Sequence, residues 1–185
     1  SMAGHLQAAG WPLTVYNRTK AKTEPLLAKG AKWADTPRAV AEASDVVFTI
    51  VGYPSDVEEV TLGENGVLRG LAAGGIVCDM STSSPVLAER IAAAAKKQGC
   101  ESLDAPVTGG DVGARDAKLS IFVGGDNAAY ERVLPCFNKM GTNILHCGGA
   151  GFGQKGKLAN QAAIAGVMIS TCESFLFAQE AGLDV

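Results

Sequence analysis

Two residues in the last third of the chain have the types and spacing to present a cation and an amide side by side. Lys157 and Asn160 stand three positions apart in GAGFGQKGKLANQ (149–161), so on a helix they share one face. A lysine set into a cleft can hold a hydroxyl or carbonyl oxygen and pass a proton. A lysine at a helix start can equally be a solvated charge, and Lys155 beside it reads that way. A second group is Thr108-Gly109-Gly110, within DAPVTGGDVGA (104–114). Glycine lets the backbone approach a ligand closely and leaves amide N–H groups free to bind a carboxylate. A plain glycine-rich turn accounts for the same residues. The third group is Asn17-Arg18-Thr19 in YNRT (16–19). A guanidinium just after a strand suits a phosphate, or is simply exposed.

These groups need elements to position them. Residues 2–9 read as an amphipathic helix ending at Gly10, and 13–17 as a strand. Residues 20–29 read as a helix capped by Gly30, followed by a short strand at 31–34. Thr36-Pro37 opens a helix over 36–44, as an N-cap and first-turn pair should. DVVFTIV (45–51) and GGIVCDMS (74–81) are continuous apolar runs, the pattern of strands buried on both faces of a parallel sheet. A short helix at 55–61 and a longer one at 84–98 flank the second run. Strands follow at 100–106, 119–125 and 143–148, with a helix over 127–139 between the last two.

Strands alternating with short helices predict an α/β fold with a doubly wound, mostly parallel sheet. In such a sheet the end of the second strand meets the adenosine ribose of a dinucleotide. An acid there favours NAD, and an Arg without the acid suits the 2′-phosphate of NADP. After Gly153 the pattern changes: residues 154–182 show no strand signal and stay helix-compatible throughout. Small and apolar residues recur all round this segment, so it requires burial by partners. The expected organisation is a dinucleotide-binding domain over 1–150, then an interdomain helix over 151–185 that begins a second, helical domain.

Bulk composition excludes several classes. The net charge is −3 and no more than two basic residues adjoin, so no nucleic-acid footprint is expected. No apolar run approaches the length of a membrane span, and no membrane partner is expected. The five cysteines are odd in number and widely spaced, which suits reduced thiols in a soluble intracellular protein. With only His5 and His146 and no clustered cysteines, no metal site is expected.

Four blocks taken together, YNRT (16–19), DMSTSSP (79–85), DAPVTGGDVGA (104–114) and GAGFGQKGKLANQ (149–161), resemble the β-hydroxyacid dehydrogenases in order and spacing. That family includes 3-hydroxyisobutyrate dehydrogenase and the glyoxylate, succinic semialdehyde and tartronate semialdehyde reductases. SDVVFTIVGYPSDV (44–57) resembles its plant and algal 3-hydroxyisobutyrate dehydrogenase-like branch. The resemblance implies a Rossmann-like oxidoreductase that moves a hydride between NADP(H), favoured over NAD(H), and a small carboxylate-bearing β-hydroxyacid or semialdehyde. It implies that Lys157 is the catalytic, proton-transferring residue. Thr108, Gly109 and Gly110 would bind the substrate carboxylate, with Asn160 and Gln161 completing the substrate site. Asn17, Arg18 and Thr19 would select NADP, Val51, Gly52, Tyr53 and Pro54 would pack along the cofactor, and Thr82 would lie near the nicotinamide.

The family pattern opens with a strand and a Gly-x-Gly-x-Met-Gly loop, whose tail Ser1-Met2 resembles. It continues past Val185 with an all-α domain that commonly builds a homo-oligomer. The chain is therefore expected to be truncated at both ends, its sheet to lack the first strand, and these residues alone to be inactive. A non-catalytic binding or oligomerisation module on the same fold is the competing reading, one in which the lysine would typically be lost.

Overall fold

A computed structural model of the chain describes residues 1–185. In chain order the elements are α1 (Met2–Ala8), β1 (Thr14–Val15), α2 (Glu24–Leu27), β2 (Lys32–Trp33), α3 (Pro37–Glu42), β3 (Val46–Thr49), α4 (Pro54–Leu62) and β4 (Ile76–Asp79). They continue with α5 (Pro85–Lys97), β5 (Glu101–Asp104), β6 (Val107–Thr108), α6 (Gly110–Arg115), β7 (Leu119–Gly124), α7 (Asn127–Phe137), β8 (Gly141–Gly148) and α8 (Phe152–Glu180).

The two apolar runs become neighbouring parallel strands, with Val47 opposite Val77, and β5 extends the sheet in the same direction. Every residue of β4 is buried. Its side chains alternate between two cores, as a strand covered on both faces requires. Ile76 and Cys78 join α1 and α7 residues such as Leu6, Val133 and Phe137, whereas Val77 joins Val40, Val57, Leu87 and Ile91 from α3, α4 and α5. This places helices on both sheet faces and makes the fold a Rossmann-like α/β architecture with a mostly parallel sheet. The exceptions are β7 and β8, which run parallel to each other, with β7 antiparallel to β5 and β6. The pair β1–β2 forms its own two-stranded parallel sheet, not hydrogen-bonded to the six-stranded one.

Three local expectations are corrected. The strand expected over 100–106 ends at Asp104 as β5, and a separate short β6 follows at Val107–Thr108, since Pro106 has no N–H to give a ladder. The segment after Thr108 contains the short helix α6, where a bare turn is expected. Residues 20–29 wind first as a 3₁₀ turn over Lys20–Thr23 and only then as α2, since Pro25 suits the first turn of a helix and not its interior.

The long helix is present as α8, buried only at Gly153, Gln154 and Lys157 and exposed from Gln161 to Phe177. Here the expectation of no span-length apolar segment also needs correction. An 18-residue window of α8 averages a hydropathy of 1.4, long and apolar enough by length and composition to cross a membrane. A search for uninterrupted apolar runs passes over it, because Asn160, Gln161, Ser170, Thr171 and Glu173 interleave with Ala, Ile, Val, Met and Phe.

Candidate functional site

The carboxyl ends of parallel strands are where a doubly wound sheet presents ligand-binding loops, and most of the singled-out residues gather there. Asn17, Arg18 and Thr19 follow β1. The Asn17 side-chain oxygen accepts from the Thr19 N–H at 2.9 Å, closing a local turn. Arg18 reaches α4, where its guanidinium lies 3.5 Å from Asp56 Oδ1 with its side chain 78% exposed. The same carboxylate accepts from the Tyr53 N–H at 3.1 Å, so the loop after β3 and the arginine share one acid. In that loop Val51 is half-buried, and Gly52, Tyr53 and Pro54 are exposed, Tyr53 at 72%.

The loops after β3 and β4 are locked together beneath this surface. Asp79, buried at the end of β4, accepts from Thr49 Oγ1 at 2.9 Å and from Ser81 Oγ at 2.7 Å. Ser81 Oγ in turn accepts from the Val51 N–H at 2.9 Å. Burial raises the Asp79 carboxyl above its ordinary range, against the lowering effect of its hydrogen bonds from Ser81 and Thr49. Thr82, next in the chain, is exposed above this network.

Lys157 is brought in by the first turns of α8, which meet the sheet backbone directly at Gly153. A methyl on Gly153 would overlap the Asp104 carbonyl oxygen, and one on Gly124 of β7 would lie 2.6 Å from the Gly153 nitrogen. Gly156 lies over Phe122 of β7. Asp104, the last residue of β5, caps the helix: Oδ1 accepts from the Gly151 N–H at 2.7 Å and Oδ2 from the Gln154 N–H at 2.8 Å. These are two of the N–H groups that every helix start leaves unpaired. Burial pushes the Asp104 carboxyl up to about 6, with the N–H bonds from Gln154 and Gly151 pulling the other way.

Lys157 itself is only 6% exposed. Its ammonium donates to Gln161 Oε1 at 2.8 Å, and burial lowers its pKa from the ordinary lysine value. One face of α8 thus carries Lys157, Asn160 and Gln161, and the Asn160 side-chain oxygen is buried with no hydrogen-bond partner in the protein. Thr108, Gly109 and Gly110 lie at the junction of β6 and α6, with Gly109 and Gly110 at φ of +130° and +64°, conformations that favour glycine. β6 pairs with β7 at Thr108 and Ser120, and α8 crosses β7 at Phe122, so both groups are mounted on one strand.

Four residues of this scaffold escape the sequence reading: Asp79, Ser81, Asp104 and Gln154. The apolar run that closes on Asp79 was a usable signal, since a carboxylate ending a buried strand needs partners. For Gln154, 0% exposed within an otherwise small and polar helix start, no local signal exists.

Residues 1–149 match the family described as the NAD binding domain of 6-phosphogluconate dehydrogenase. The chain is 53% identical over its full length to an Arabidopsis thaliana protein named Probable 3-hydroxyisobutyrate dehydrogenase-like 1, mitochondrial, and covers 55% of it. It is 44% identical to 2-hydroxy-3-oxopropionate reductase of Escherichia coli over 99% of the chain and 62% of that protein. Among solved structures, a Mycobacterium tuberculosis 3-hydroxyisobutyrate dehydrogenase with L-serine superposes at a TM-score of 0.89 with 33% identity, covering 100% of this chain and 62% of that one. The chain therefore spans somewhat over half the length of these relatives. With its strand-end loops and its family match in agreement, the chain belongs to the family of the NAD binding domain of 6-phosphogluconate dehydrogenase.

Proposed function

We propose that this chain is the dinucleotide-binding part of an oxidoreductase that interconverts a small β-hydroxyacid and its semialdehyde with NADP(H), Lys157 handling the proton. The observation that carries the reading is a lysine buried to 6% exposure whose neighbours include no carboxylate partner, held instead by a neutral glutamine. Desolvation disfavours its charged form and lowers its pKa, the direction that favours the neutral amine a general base needs. A structural surface lysine needs none of this.

The residues fit a bound dinucleotide and a small carboxylate. Arg18 makes one long contact and keeps other N–H donors free for a phosphate. The orphaned Asn160 oxygen is a buried acceptor awaiting a donor, such as a substrate hydroxyl. Thr108, Gly109 and Gly110 offer a hydroxyl and a side-chain-free backbone to a carboxylate. When bound, the nicotinamide accepts or supplies the hydride. In the oxidation direction Lys157 Nζ takes the proton of the substrate hydroxyl, and in reduction it returns one to the carbonyl oxygen. Gln161 holds Nζ between these events. Residues 1–150 form the dinucleotide unit in this reading. The exposed stretch of α8 leads into a helical domain and a homo-oligomer; the polar residues interleaved along it and the buried first turns support burial against protein.

The test is Lys157→Ala in the full-length protein, assayed with NADPH and small semialdehydes. Turnover should fall by about 10² to 10⁴-fold, and near-normal turnover refutes the reading. The cofactor assignment is tested separately by fluorescence titration. Arg18→Ala should weaken NADPH binding by about tenfold to a hundredfold, the loss expected for a hydrogen bond to a charged group, and leave NADH binding unchanged. Equal loss for both refutes NADP selection by Arg18.

A further inference from the structure

We infer that Gln154 is a positioning residue that sets Lys157 relative to the loop carrying Thr82, by clasping the peptide groups on both sides of that threonine. The inference rests on the proposed dehydrogenase reading and adds a residue to it. Gln154 Nε2 donates to the Ser81 carbonyl at 2.8 Å, and Gln154 Oε1 accepts from the Ser83 N–H at 2.8 Å. Neither of those peptide groups makes a backbone–backbone hydrogen bond. The amide therefore does for residues 81–83 what a neighbouring strand would do, and it does so across more than seventy positions of sequence.

The other end of Gln154 is equally determined. Its own N–H is one of the two that Asp104 caps. Its Cα lies three residues before Lys157, about 4.5 Å along the helix axis. One side chain thus ties the helix that carries the proton-transfer lysine to the loop on which Thr82 sits, and the Asp104 carboxylate ties the start of that helix to β5. Ser81 is in turn bonded to Asp79 and to the Val51 N–H, so the brace reaches the loop after β3.

A filler role does not account for an amide here. An apolar side chain of this size would fill the same space and avoid the desolvation of four polar sites, whereas a buried amide is tolerated only where each of its bonds is made. Its donor and acceptor are both spent on the Ser81 carbonyl and the Ser83 N–H, neither of which has a backbone partner. What that arrangement supplies is a fixed distance between two halves of the site. A misplacement of about 1 Å between reacting groups can lower turnover about a hundredfold.

The experiment compares Gln154→Met with the unmodified full-length protein, measuring kcat, KM, melting temperature and NADPH affinity by fluorescence. Methionine keeps the volume and removes both bonds. The expected result is a folded protein with NADPH affinity and substrate KM nearly unchanged and kcat lower by about a hundredfold. A folded variant with unchanged kcat overturns the inference, and so does a fall in NADPH affinity or a rise in KM that accounts for the whole loss.

If Gln154→Met does not fold, Gln154→Glu decides. It keeps the acceptor for Ser83, and its second oxygen can donate to Ser81 only when protonated. Groups that titrate or carry charge around it are Asp104 on β5, Asp79 on β4, Glu89 on α5, and Lys155 and Lys157 on α8, so its turnover is read as a ratio to the unmodified protein at each pH. That ratio should rise as the pH falls. A ratio that stays at unity, or a loss independent of pH, overturns the inference. Lys157→Ala run alongside separates the two claims: if it retains turnover, the dehydrogenase reading fails; if it is inactive while Gln154→Met is normal, only the brace fails.

Discussion

Asp104 is the residue at which stability and site geometry meet. An unfolded aspartate titrates at about 3.9, and burial raises Asp104 to about 6 in the folded chain. A carboxyl with a raised folded pKa contributes stability that is fully present below the unfolded value and is lost as pH rises through the folded one. The gap of about two units corresponds to roughly 3 kcal/mol, lost between about pH 4 and pH 6. Asp79 is shifted in the same direction by the same cause and adds to the trend. Urea midpoints measured from pH 4.5 to 7.5 should therefore decline toward the alkaline end, and Asp104→Asn should flatten that decline. An unchanged slope in the variant would show that Asp104 is not its source. Asp104→Ala leaves the Gly151 and Gln154 N–H groups without their acceptor, at a cost of about 1–3 kcal/mol each.

Between elements, the decisive contact is α8 on β5 and β7, and it depends on the absence of a side chain at Gly153. Glycine in a helix is ordinarily the weaker choice, and replacement by alanine gains up to about 1 kcal/mol. Here the sign should reverse. A methyl at Gly153 meets the Asp104 carbonyl and would sit 2.5 Å from the Phe122 carbonyl, both rigid backbone. Gly153→Ala should destabilise the chain by about 1–3 kcal/mol, the range for overpacking. It should also speed amide exchange in the first turns of α8, since lifting the helix breaks the Asp104 cap. A stability equal to or above that of the unmodified chain would mean that the helix has room to shift. The glycines of GAGFGQKGK were legible as a backbone turn before a helix. That one of them is a spacer between helix and sheet was not legible, because its partner Gly124 comes from a strand nearly thirty positions earlier.

For the whole molecule, the unusual feature is the exposed length of α8. Val167, Met168, Ile169, Phe175, Leu176 and Phe177 are all more than half exposed. Contiguous apolar surface of this kind is uncommon on a soluble monomer and marks surface that associates. The 185-residue chain in dilute buffer should show a mass that rises with concentration in sedimentation equilibrium. Ile169→Lys with Phe177→Glu should return it to a monomer without lowering its melting temperature, because neither residue is buried in the core. A monomeric mass at all concentrations would count against association through this helix.

The sequence alone determined a good deal. Uninterrupted apolar runs between capped helices dictate buried parallel strands and hence a doubly wound sheet, because that pattern has no other economical burial. The helical spacing of Lys157 and Asn160, the glycines after Thr108 and the arginine after the first strand mark the proposed site, because each is local chemistry written in nearby residues. Only the tertiary structure decided how those pieces are held: that Arg18 and Tyr53 meet at Asp56, that Asp104 caps the helix from another strand, and that Gln154 grips a loop seventy positions away. Hydrogen bonds of that kind join residues whose nearness is created by chain folding, and nothing in the local pattern at either end specifies the partner.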